Sequence, residues 1–455
     1  MTKKPMKDIV VVIPGILGSA LAKDGKEVWS VGGGAALRAL VSLGGSIKDL
    51  ELSGDDPAVD DLGDGIEPTR LLPDVHLVPG LWKIDGYGSI TKSVRETYDV
   101  KPGANYFEFP YDWRRDNRVA GRRLRRESAR WLEDWRRNSR NDDAKLILMG
   151  HSMGGLVSRA FLELEGGWKD TRSLITFGTP YRGSLNALDF IANGFKKGMG
   201  PLSLDLSNML RSLTSVYQLL PIYPCFDEGD GTLVRTAETD AIPNLDRTRA
   251  EEALAFHRSI EAAVSQRAGV DGAYRTFPIV GITQPTMQSG VLDGERVRMQ
   301  RTILGRDDGG DGTVPRMSAV PIEFTDLAGA THSPSPHSSL QNTDASLAHV
   351  QGVLTADEIP ADAYRESGGA ISLDLDDMYA VGEGAVFRAW SGMNPDQLQA
   401  TVEPIEEPGA SFAVPLTAAD DGWVVGNATL AAGTYRVHVS AGEGSRGVSD
   451  LTMVV

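Results

Sequence analysis

KLILMGHSMGGLVSRA, residues 145–160, is the stretch of this sequence that decides the fold. Residues 146–149 form a short continuous apolar run, which is typical of a parallel strand that is buried on both faces. A Gly-x-Ser-x-Gly box at residues 150–154 follows at once, and apolar residues then recur at helical spacing. A strand that turns abruptly into a helix holds the serine hydroxyl at the apex of a tight turn. The stretch therefore predicts a strand, a sharp turn and a helix, with Ser152 as a candidate nucleophile.

Other apolar runs indicate further strands of the same sheet, at residues 8–13, 173–180 and 276–283. Segments with helical spacing separate them. Strands that alternate with helices are typical of a mostly parallel sheet that is covered on both faces. The sequence therefore predicts an α/β fold with Ser152 at the end of one of its strands.

The chain is longer than a single hydrophobic core usually supports, so we expect more than one domain. Residues 1–355 are predicted to form the α/β domain, with excursions at about 21–84 and 186–225 that are typical of lids or caps. Residues 356–370 resemble a linker in composition. Short alternating runs separated by Gly and Pro follow in residues 371–455, and they predict a small antiparallel β-sandwich.

Composition and charge restrict the classes of partner and the cellular compartment that we expect for this chain. The formal net charge of −16 argues against nucleic acid as a main partner and gives no general attraction to anionic lipid. A single cysteine excludes an intramolecular disulfide. The N-terminal apolar run is shortened by Asp8 and by Pro14-Gly15, which favours a core strand over a signal peptide. With no apolar stretch long enough to span a bilayer, we expect a cytoplasmic protein.

Two segments allow alternative interpretations. The arginine-rich residues 114–140 could form a basic amphipathic helix that touches a membrane, but a surface helix with Trp131 and Trp135 packed inward is the more usual case. The apolar, mainly helical residues 186–225 could be ordinary core or the wall of an acyl-chain site.

A serine becomes a good nucleophile when a histidine accepts its proton and a carboxylate orients that histidine. In α/β-hydrolases the acid and then the histidine follow the serine along the chain. The candidates downstream of Ser152 are Asp307, Asp308, Asp311, His257, His332, His337 and His349. Spacing alone does not choose between the aspartates, or between the two histidines of the loop GATHSPSPHSSLQN.

Two backbone N–H groups are needed to hold the oxyanion that forms during acyl transfer. One is expected from Met153, directly after the nucleophile. The other is expected from the turn after the first strand, at Ile16. We expect no cofactor and no metal, since this chemistry needs neither and no phosphate-binding loop of the G-x-x-x-x-G-K type occurs.

A set of motifs in a fixed order now suggests a family. These are VVIPGILGS, FPYDWRRD, GHSMGG, ITFGTPYRGS, RSLTSVYQLLP, GDGTVP and HSSLQN. In this order they resemble the lecithin:cholesterol acyltransferase family, which includes lysosomal phospholipases A and phospholipid:diacylglycerol acyltransferases. The resemblance spans roughly residues 8–355 and leaves out the C-terminal sandwich.

The resemblance implies an α/β-hydrolase fold and assigns roles. Ser152 would be the nucleophile, Asp311 of GDGTVP the acid and His337 of HSSLQN the base, with Ile16 and Met153 as oxyanion donors. Residues 112–114 match a motif that is structural in the family, at the floor of the active site. The two excursions would correspond to membrane-contacting and lid segments, and Trp82 and Leu17 become candidates for contact with the substrate.

The predicted activity is that of a serine-dependent ester hydrolase or acyltransferase acting on lipid-like esters, with transient contact to a membrane surface. The mammalian relatives are secreted or lysosomal and carry disulfides, so this chain departs from them. The alternatives are a binding protein on a hydrolase scaffold and a peptidase of the same fold. Nothing in the sequence identifies a partner for the C-terminal sandwich.

Overall fold

The structure is a computed structural model, and it describes most of the chain. The described residues are 3–30, 48–72, 76–78, 82–84, 86–197, 204–267, 273–324, 329–355, 371–391, 397–405, 410–419, 422–441 and 447–455. Within these ranges, no helix combines the length and the apolar character that are needed to cross a bilayer.

A parallel sheet forms the centre of the main domain, and six strands of the described chain pair in it. They are Ile9–Ile13 (β1), Tyr106–Glu108 (β2), Leu146–His151 (β3), Thr171–Phe177 (β4), Arg275–Gly281 (β5) and Thr331–Ser333 (β6). Their order across the sheet is β2-β1-β3-β4-β5-β6, and every neighbouring pair is parallel. The predicted α/β-hydrolase class is confirmed.

Helices connect and cover these strands, which explains the apolar strand sequences. The helices are Gly88–Thr97 (α1), Asn117–Ser139 (α2), Met153–Arg159 (α3), Leu185–Asn193 (α4), Ser207–Ser212 (α5), Thr214–Tyr217 (α6), Arg247–Gln266 (α7) and Asp344–Thr355 (α8). All five residues of β1 are buried, with exposed fractions between 0% and 2%. A strand with helices on both of its faces has no solvent side, so its residues are apolar throughout.

Helix α2 is a surface helix whose tryptophans face inward. It begins after Asp116, whose side chain accepts a hydrogen bond from the backbone N–H of Arg118. Trp131 stacks on Phe107 of β2, with ring centroids 4.0 Å apart. Trp135 Nε1 donates to the Lys7 carbonyl oxygen at 2.8 Å. The tryptophans thus fix the helix to the sheet, as the non-membrane interpretation of this segment predicts.

The two excursions contain sheets of their own. The first includes the antiparallel strands Ser19–Lys23, Lys26–Trp29 and Ile66–Leu71, a regular structure that the sequence pattern did not indicate. The second holds α4, α5 and α6, as its helical pattern predicts. A further sheet lies beside it, formed by Phe226–Asp227, Leu233–Val234, Ser289–Asp293 and Arg296–Gln300.

The C-terminal residues form two sheets around a separate apolar core. The strands are Ile371–Leu375 (β7), Met378–Tyr379 (β8), Ala385–Ser391 (β9), Gln399–Pro404 (β10), Phe412–Val414 (β11), Leu416–Ala418 (β12), Val424–Ala428 (β13), Gly433–Ser440 (β14) and Val448–Val454 (β15). The two sheets have the orders β7-β9-β13-β12 and β8-β15-β14-β10-β11. Phe387 and Val437 belong to their common core. The expected linker, residues 356–370, lies outside the described residues.

Candidate active site

Ser152 lies in the sharp turn between β3 and α3. Its backbone has φ 51° and ψ −126°, a strained conformation for a residue with a side chain. The turn brings backbone segments very close together: a methyl group at Gly154 would lie 2.4 Å from the Ile13 carbonyl oxygen, and one at Gly155 would lie 2.0 Å from Thr179 Oγ1. Gly154 of the box and the following Gly155 are therefore required by close approach.

The loop after β1 lies next to this turn, at the point where the strand order of the sheet reverses. In parallel sheets, this switch point is where ligands commonly bind. Gly15 N–H donates to the Tyr87 hydroxyl at 2.8 Å, and the Leu17 carbonyl accepts from Trp29 Nε1 at 3.0 Å. Leu17 has a positive φ of 63°. These bonds fix the backbone on both sides of Ile16, which lines the same cavity as Ser152.

Residues 111–114, the YDWR part of the FPYDWRRD motif, support the loop after β1. Tyr111 donates its hydroxyl proton to the Pro14 carbonyl oxygen, and Trp113 Nε1 donates to the Ser19 carbonyl oxygen, each at 3.0 Å. Arg114 is fully buried and forms ion pairs with Asp112 at 2.7 Å and Asp64 at 2.8 Å. This part of the motif therefore holds the candidate oxyanion loop in place.

Asp311 and His337 are in direct contact. His337 Nδ1 donates to Asp311 Oδ2 at 2.7 Å, and the His337 backbone N–H donates to the Asp311 carbonyl oxygen at 2.7 Å. Asp311 Oδ1 accepts from the backbone N–H groups of Thr313 and Val314 at 2.9 and 2.6 Å. With Nδ1 carrying the proton, His337 Nε2 is left as the acceptor.

The other histidines and aspartates that were candidates for the base and the acid have different partners. His332 is on β6 and exposed, His257 Nε2 bonds to the Gln218 carbonyl, and His349 Nδ1 lies 3.2 Å from Thr331 Oγ1. Asp307 accepts from Gln288, and Asp308 pairs with Arg306. Of the residues left open by spacing, only Asp311 and His337 are brought together at the cavity that contains Ser152.

A second histidine, His151, contacts both Tyr87 and the loop that carries His337. His151 precedes the candidate nucleophile and is only 2% exposed. Its Nδ1 lies 3.1 Å from the Tyr87 hydroxyl and its Nε2 lies 3.2 Å from the His337 carbonyl oxygen. Because the His337 carbonyl oxygen can only accept, His151 Nε2–H donates to it, and His151 Nδ1 therefore accepts from the Tyr87 hydroxyl. This chain of hydrogen bonds links the candidate oxyanion loop, the turn at Ser152 and the loop of the candidate base.

Sequence reasoning did not find Tyr87 and assigned His151 no role. His151 lies inside the box, so its position next to Ser152 was the available signal. Tyr87 carries no such signal, because it lies 64 residues from His151 along the chain. Only the packing of the sheet brings the two together.

We expect His151 to make the fold sensitive to acid. Burial, together with the nearby His337, lowers the pKa of His151 from 6.5 to about 3. Between these two values the unfolded chain binds a proton at His151 and the folded chain does not, so the free energy of unfolding falls as the pH falls. One such group contributes roughly 2 kcal/mol between pH 6.5 and about pH 5. Urea unfolding at several pH values measures this slope.

The variant His151→Gln removes the titrating group and retains an amide that can form hydrogen bonds. Its free energy of unfolding should be lower at neutral pH but should change less between pH 6.5 and about pH 5. The matched control is His332→Gln: burial and Arg316 also lower the pKa of His332, but without the large shift of His151, so its removal should change the slope less. Identical slopes for the wild type and His151→Gln would show that His151 is not the acid-sensitive group.

One cavity of about 370 Å³ connects these residues. Ser152, Asp311 and His337 line it on one side, with Ile16 and Leu17 of the candidate oxyanion loop. Apolar side chains of the second excursion and its neighbouring sheet form another wall: Ala187, Phe190, Leu210, Val216, Leu219, Met287 and Met299. Leu17, a candidate for contact with the substrate, thus lines the same cavity as Ser152. Trp82 begins the short strand Trp82–Ile84, and its side chain lies outside the described residues.

In the described ranges, no group of three or more His, Cys, Asp or Glu side chains is arranged to hold a metal ion. The polar groups at Ser152 are instead a carboxylate, an imidazole and backbone N–H donors, which is the set that acyl transfer uses.

Comparison with known proteins gives a family match. Residues 83–267 match the family model of lecithin:cholesterol acyltransferase. The resemblance that the ordered motifs predict is confirmed. A search of curated protein sequences finds no significant match.

Several solved structures are similar to this chain at low sequence identity. The Tle4–Tli4 complex matches at 14% identity and a TM-score of 0.49, over 78% of this chain and 98% of that chain. The mature Bacillus licheniformis lipase BlEst2 matches at 13% identity and a TM-score of 0.33, over 78% and 94%. The Legionella pneumophila phospholipase PlaB matches at 11% identity and a TM-score of 0.25, over 98% and 89%.

Proposed function

We propose that this relative of lecithin:cholesterol acyltransferase is a serine-dependent lipid ester hydrolase or acyltransferase. The observation that carries the proposal is a cavity lined both by Ser152, at a strained strand-to-helix turn, and by the hydrogen-bonded pair of His337 and Asp311. A serine, a histidine with a free Nε2 and a buried carboxylate are the groups that acyl transfer requires.

In the first step, Ser152 Oγ attacks the ester carbonyl carbon and His337 Nε2 takes its proton. Asp311 holds His337 Nδ1–H and stabilises the imidazolium that forms. The backbone N–H groups of Ile16 and Met153 bind the oxyanion. When the tetrahedral intermediate collapses, the C–O bond to the alcohol breaks and His337 returns the proton to the departing oxygen.

In the second step, the acyl group leaves Ser152 for an acceptor that His337 deprotonates. Water as acceptor gives hydrolysis and releases a carboxylic acid, whereas a bound alcohol gives a new ester. The apolar wall of the cavity suits a hydrocarbon chain, because burying such a chain releases its surface from water. The family match supports a lipid-like substrate and transient contact with a membrane surface. We also propose that residues 1–355 and residues 371–455 form separate domains.

The experiment combines a covalent probe with product analysis. A fluorophosphonate should modify the protein at Ser152, and peptide mass mapping locates the modified residue. Incubation of untreated protein with a mixed lipid extract, with and without a long-chain alcohol, should release fatty acids or form new esters. The matched control is the same preparation after fluorophosphonate treatment, which should form neither product.

Three results would contradict the proposal. Absence of labelling together with absence of lipid products would favour a binding protein on a hydrolase scaffold. Turnover of peptide amides in preference to esters would favour a peptidase. Modification of a serine other than Ser152, with loss of the activity, would place the nucleophile elsewhere.

A further inference from the structure

The C-terminal sandwich meets the α/β domain beside the cavity that contains Ser152. Its strand β7 contributes Leu373 and Leu375 to the lining of that cavity. Between them, Ser372 Oγ donates to the Thr283 carbonyl oxygen at 2.6 Å. Both sides of this boundary lie outside the segment matched by the family model, residues 83–267. The family match therefore does not account for these contacts.

The side chain of Gln284 pairs with the edge of β7. Within the described residues β7 is an edge strand, since the order of its sheet is β7-β9-β13-β12. Gln284 Oε1 accepts from Leu373 N–H at 3.2 Å, and Gln284 Nε2 donates to the Ile371 carbonyl oxygen at 3.4 Å. These two backbone groups flank Ser372, and a residue of a parallel neighbouring strand would bond to the same two. The amide of Gln284 thus takes the place of a neighbouring strand.

The same amide reaches the loop that carries His337. Gln284 is 3% exposed, and its Nε2 also donates to the carbonyl oxygen of Pro334, three residues before His337. Thr283 Oγ1 donates to the same oxygen at 3.0 Å. The partners fix the orientation of the amide, because carbonyl oxygens must face its NH₂ group and the N–H of β7 must face its oxygen. One side chain therefore joins the sandwich to the loop of the candidate base.

The backbone of Gln284 holds the neighbours of Asp311. Its N–H donates to the Gly310 carbonyl oxygen at 2.9 Å. Its carbonyl oxygen accepts from the Thr286 hydroxyl at 2.8 Å, and Thr286 Oγ1 in turn accepts from Gly312 N–H at 2.8 Å. The residues on both sides of Asp311 are thus tied to Gln284. A single residue connects the candidate acid, the loop of the candidate base and β7.

Such a connection matters because the candidate pair depends on close contact. The bond of 2.7 Å between His337 and Asp311 joins two different loops. A shift of about 1 Å at a reacting group can cost on the order of 10²-fold in rate. A buried amide whose donors and acceptor are all bonded restrains the segments that it joins, and its removal leaves buried backbone groups without a partner. Loss of the Gln284 amide should therefore loosen the loop of His337 relative to Asp311.

We propose that Gln284 is a positioning residue: its side-chain amide connects the edge of β7 to the loop of His337, so that the C-terminal sandwich holds the candidate base in place for catalysis. This inference rests on the proposed function. It assigns the sandwich a part in the rate of the reaction at the same site.

The first test is Gln284→Met, which keeps the length of the side chain and removes its amide. We expect kcat for para-nitrophenyl octanoate to fall roughly 10- to 100-fold, with KM within about threefold of the wild type. The loss is smaller than that of a triad residue, because Thr283 and the Gln284 backbone keep their own bonds. Rates are expressed per mole of protein that a fluorophosphonate labels at completion, so that unfolded molecules are not counted.

The matched control is Gln288→Met, four residues further along the chain. Gln288 is 0% exposed, and its Nε2 donates to the Arg301 carbonyl oxygen and to Asp307 Oδ1, each at 2.7 Å. Its Oε1 accepts from Asp308 N–H at 3.2 Å. None of these partners belongs to β7 or to the loop of His337. Gln288→Met therefore loses a comparable buried amide, and its kcat should stay within about threefold of the wild type.

A double-mutant cycle with Asp311→Asn separates positioning from general stability. If Gln284 acts through the pair of Asp311 and His337, its replacement should matter little once Asp311→Asn has already disabled that pair. We expect Gln284→Met to lower kcat by less than about threefold in the Asp311→Asn background. A purely structural role of Gln284 would give the same factor in both backgrounds.

A variant on the sandwich side tests whether β7 takes part. Ser372→Ala removes the hydroxyl that donates to the Thr283 carbonyl oxygen and leaves the α/β domain unchanged in sequence. We expect kcat to fall about threefold to tenfold, again with little change in KM. The control is Ser449→Ala, whose hydroxyl lies 2.8 Å from His438 Nδ1 inside the sandwich. This control should retain the kcat of the wild type.

The outcomes separate the inference from the function on which it rests. Absence of Ser152-dependent turnover of para-nitrophenyl octanoate would overturn the proposed function itself. With turnover present, equal factors in both backgrounds of the cycle, or a rise in KM at unchanged kcat, would overturn only the positioning role of Gln284. Unchanged kcat in Ser372→Ala would remove the sandwich from that role. If Gln284→Met does not fold, Ser372→Ala alone decides the inference.

Discussion

Replacing Ser152 with alanine is expected to reduce ester hydrolysis by about 10⁶-fold, by analogy with other serine triads. The acyl-enzyme cannot form without Oγ, and the remaining rate comes from the oxyanion donors and from substrate binding. Loss of fluorophosphonate labelling should accompany the loss of activity. The measurement is the initial rate of para-nitrophenyl octanoate hydrolysis by purified protein.

The control for this variant is Ser158→Ala, in helix α3, which follows Ser152. Ser158 is also buried, and its hydroxyl donates to the Gly154 carbonyl oxygen at 2.8 Å within α3. Its replacement removes one local hydrogen bond, which is worth about 1 kcal/mol of stability, and no group that reaches the cavity. Activity close to that of the wild type is expected for Ser158→Ala. If Ser152→Ala kept such activity as well, Ser152 would not be the nucleophile.

The second large effect is expected for Asp311→Asn, which should lower kcat about 10³- to 10⁴-fold. Asp311 Oδ1 is fixed by the backbone N–H groups of Thr313 and Val314. An asparagine at this position would keep its oxygen on those two donors, so its NH₂ group would face His337 Nδ1. His337 would then accept at Nδ1 and carry its proton on Nε2, where it cannot take a proton from Ser152.

Two neighbouring aspartates provide the controls for Asp311→Asn. Asp307 Oδ1 accepts from Gln288 Nε2 at 2.7 Å and from the Gly309 backbone, and Asp308 forms an ion pair with Arg306 at 3.1 Å. Neither contacts His337, so Asp307→Asn and Asp308→Asn should stay within about threefold of the wild-type rate. Comparable losses in all three variants would mean that the acid has been assigned to the wrong residue.

Local patterns predicted the elements that carry the candidate site. The predicted strand at residues 8–13 contains β1, and the apolar run at residues 146–149 lies within β3, because strands covered on both faces leave no room for polar residues. The glycine spacing around Ser152 predicted the sharp turn that the backbone angles show. The change of pattern near residue 371 predicted short antiparallel strands. Each of these sequence patterns lies within a few residues of the strand or turn that it predicts.

The relations between distant side chains could not be predicted in this way. Asp311 and His337 are separated by 26 residues and lie in different loops, and spacing left three aspartates and two histidines open. The ordered motifs chose among them only through a family resemblance. Tyr87, which joins the candidate oxyanion loop to His151, gave no signal of its own. Contacts of this kind depend on which strands neighbour each other in the sheet.

The sequence by itself determined the strand-to-helix turn at Ser152, the alternation of strands and helices around it and the presence of a separate β-rich module, since each follows from short-range periodicity and turn chemistry. Only the tertiary structure decided that Asp311 meets His337 and that β7 lies at the cavity. The physical reason is that both are contacts between segments far apart in the chain, fixed by the packing of whole elements and not by local residue preferences.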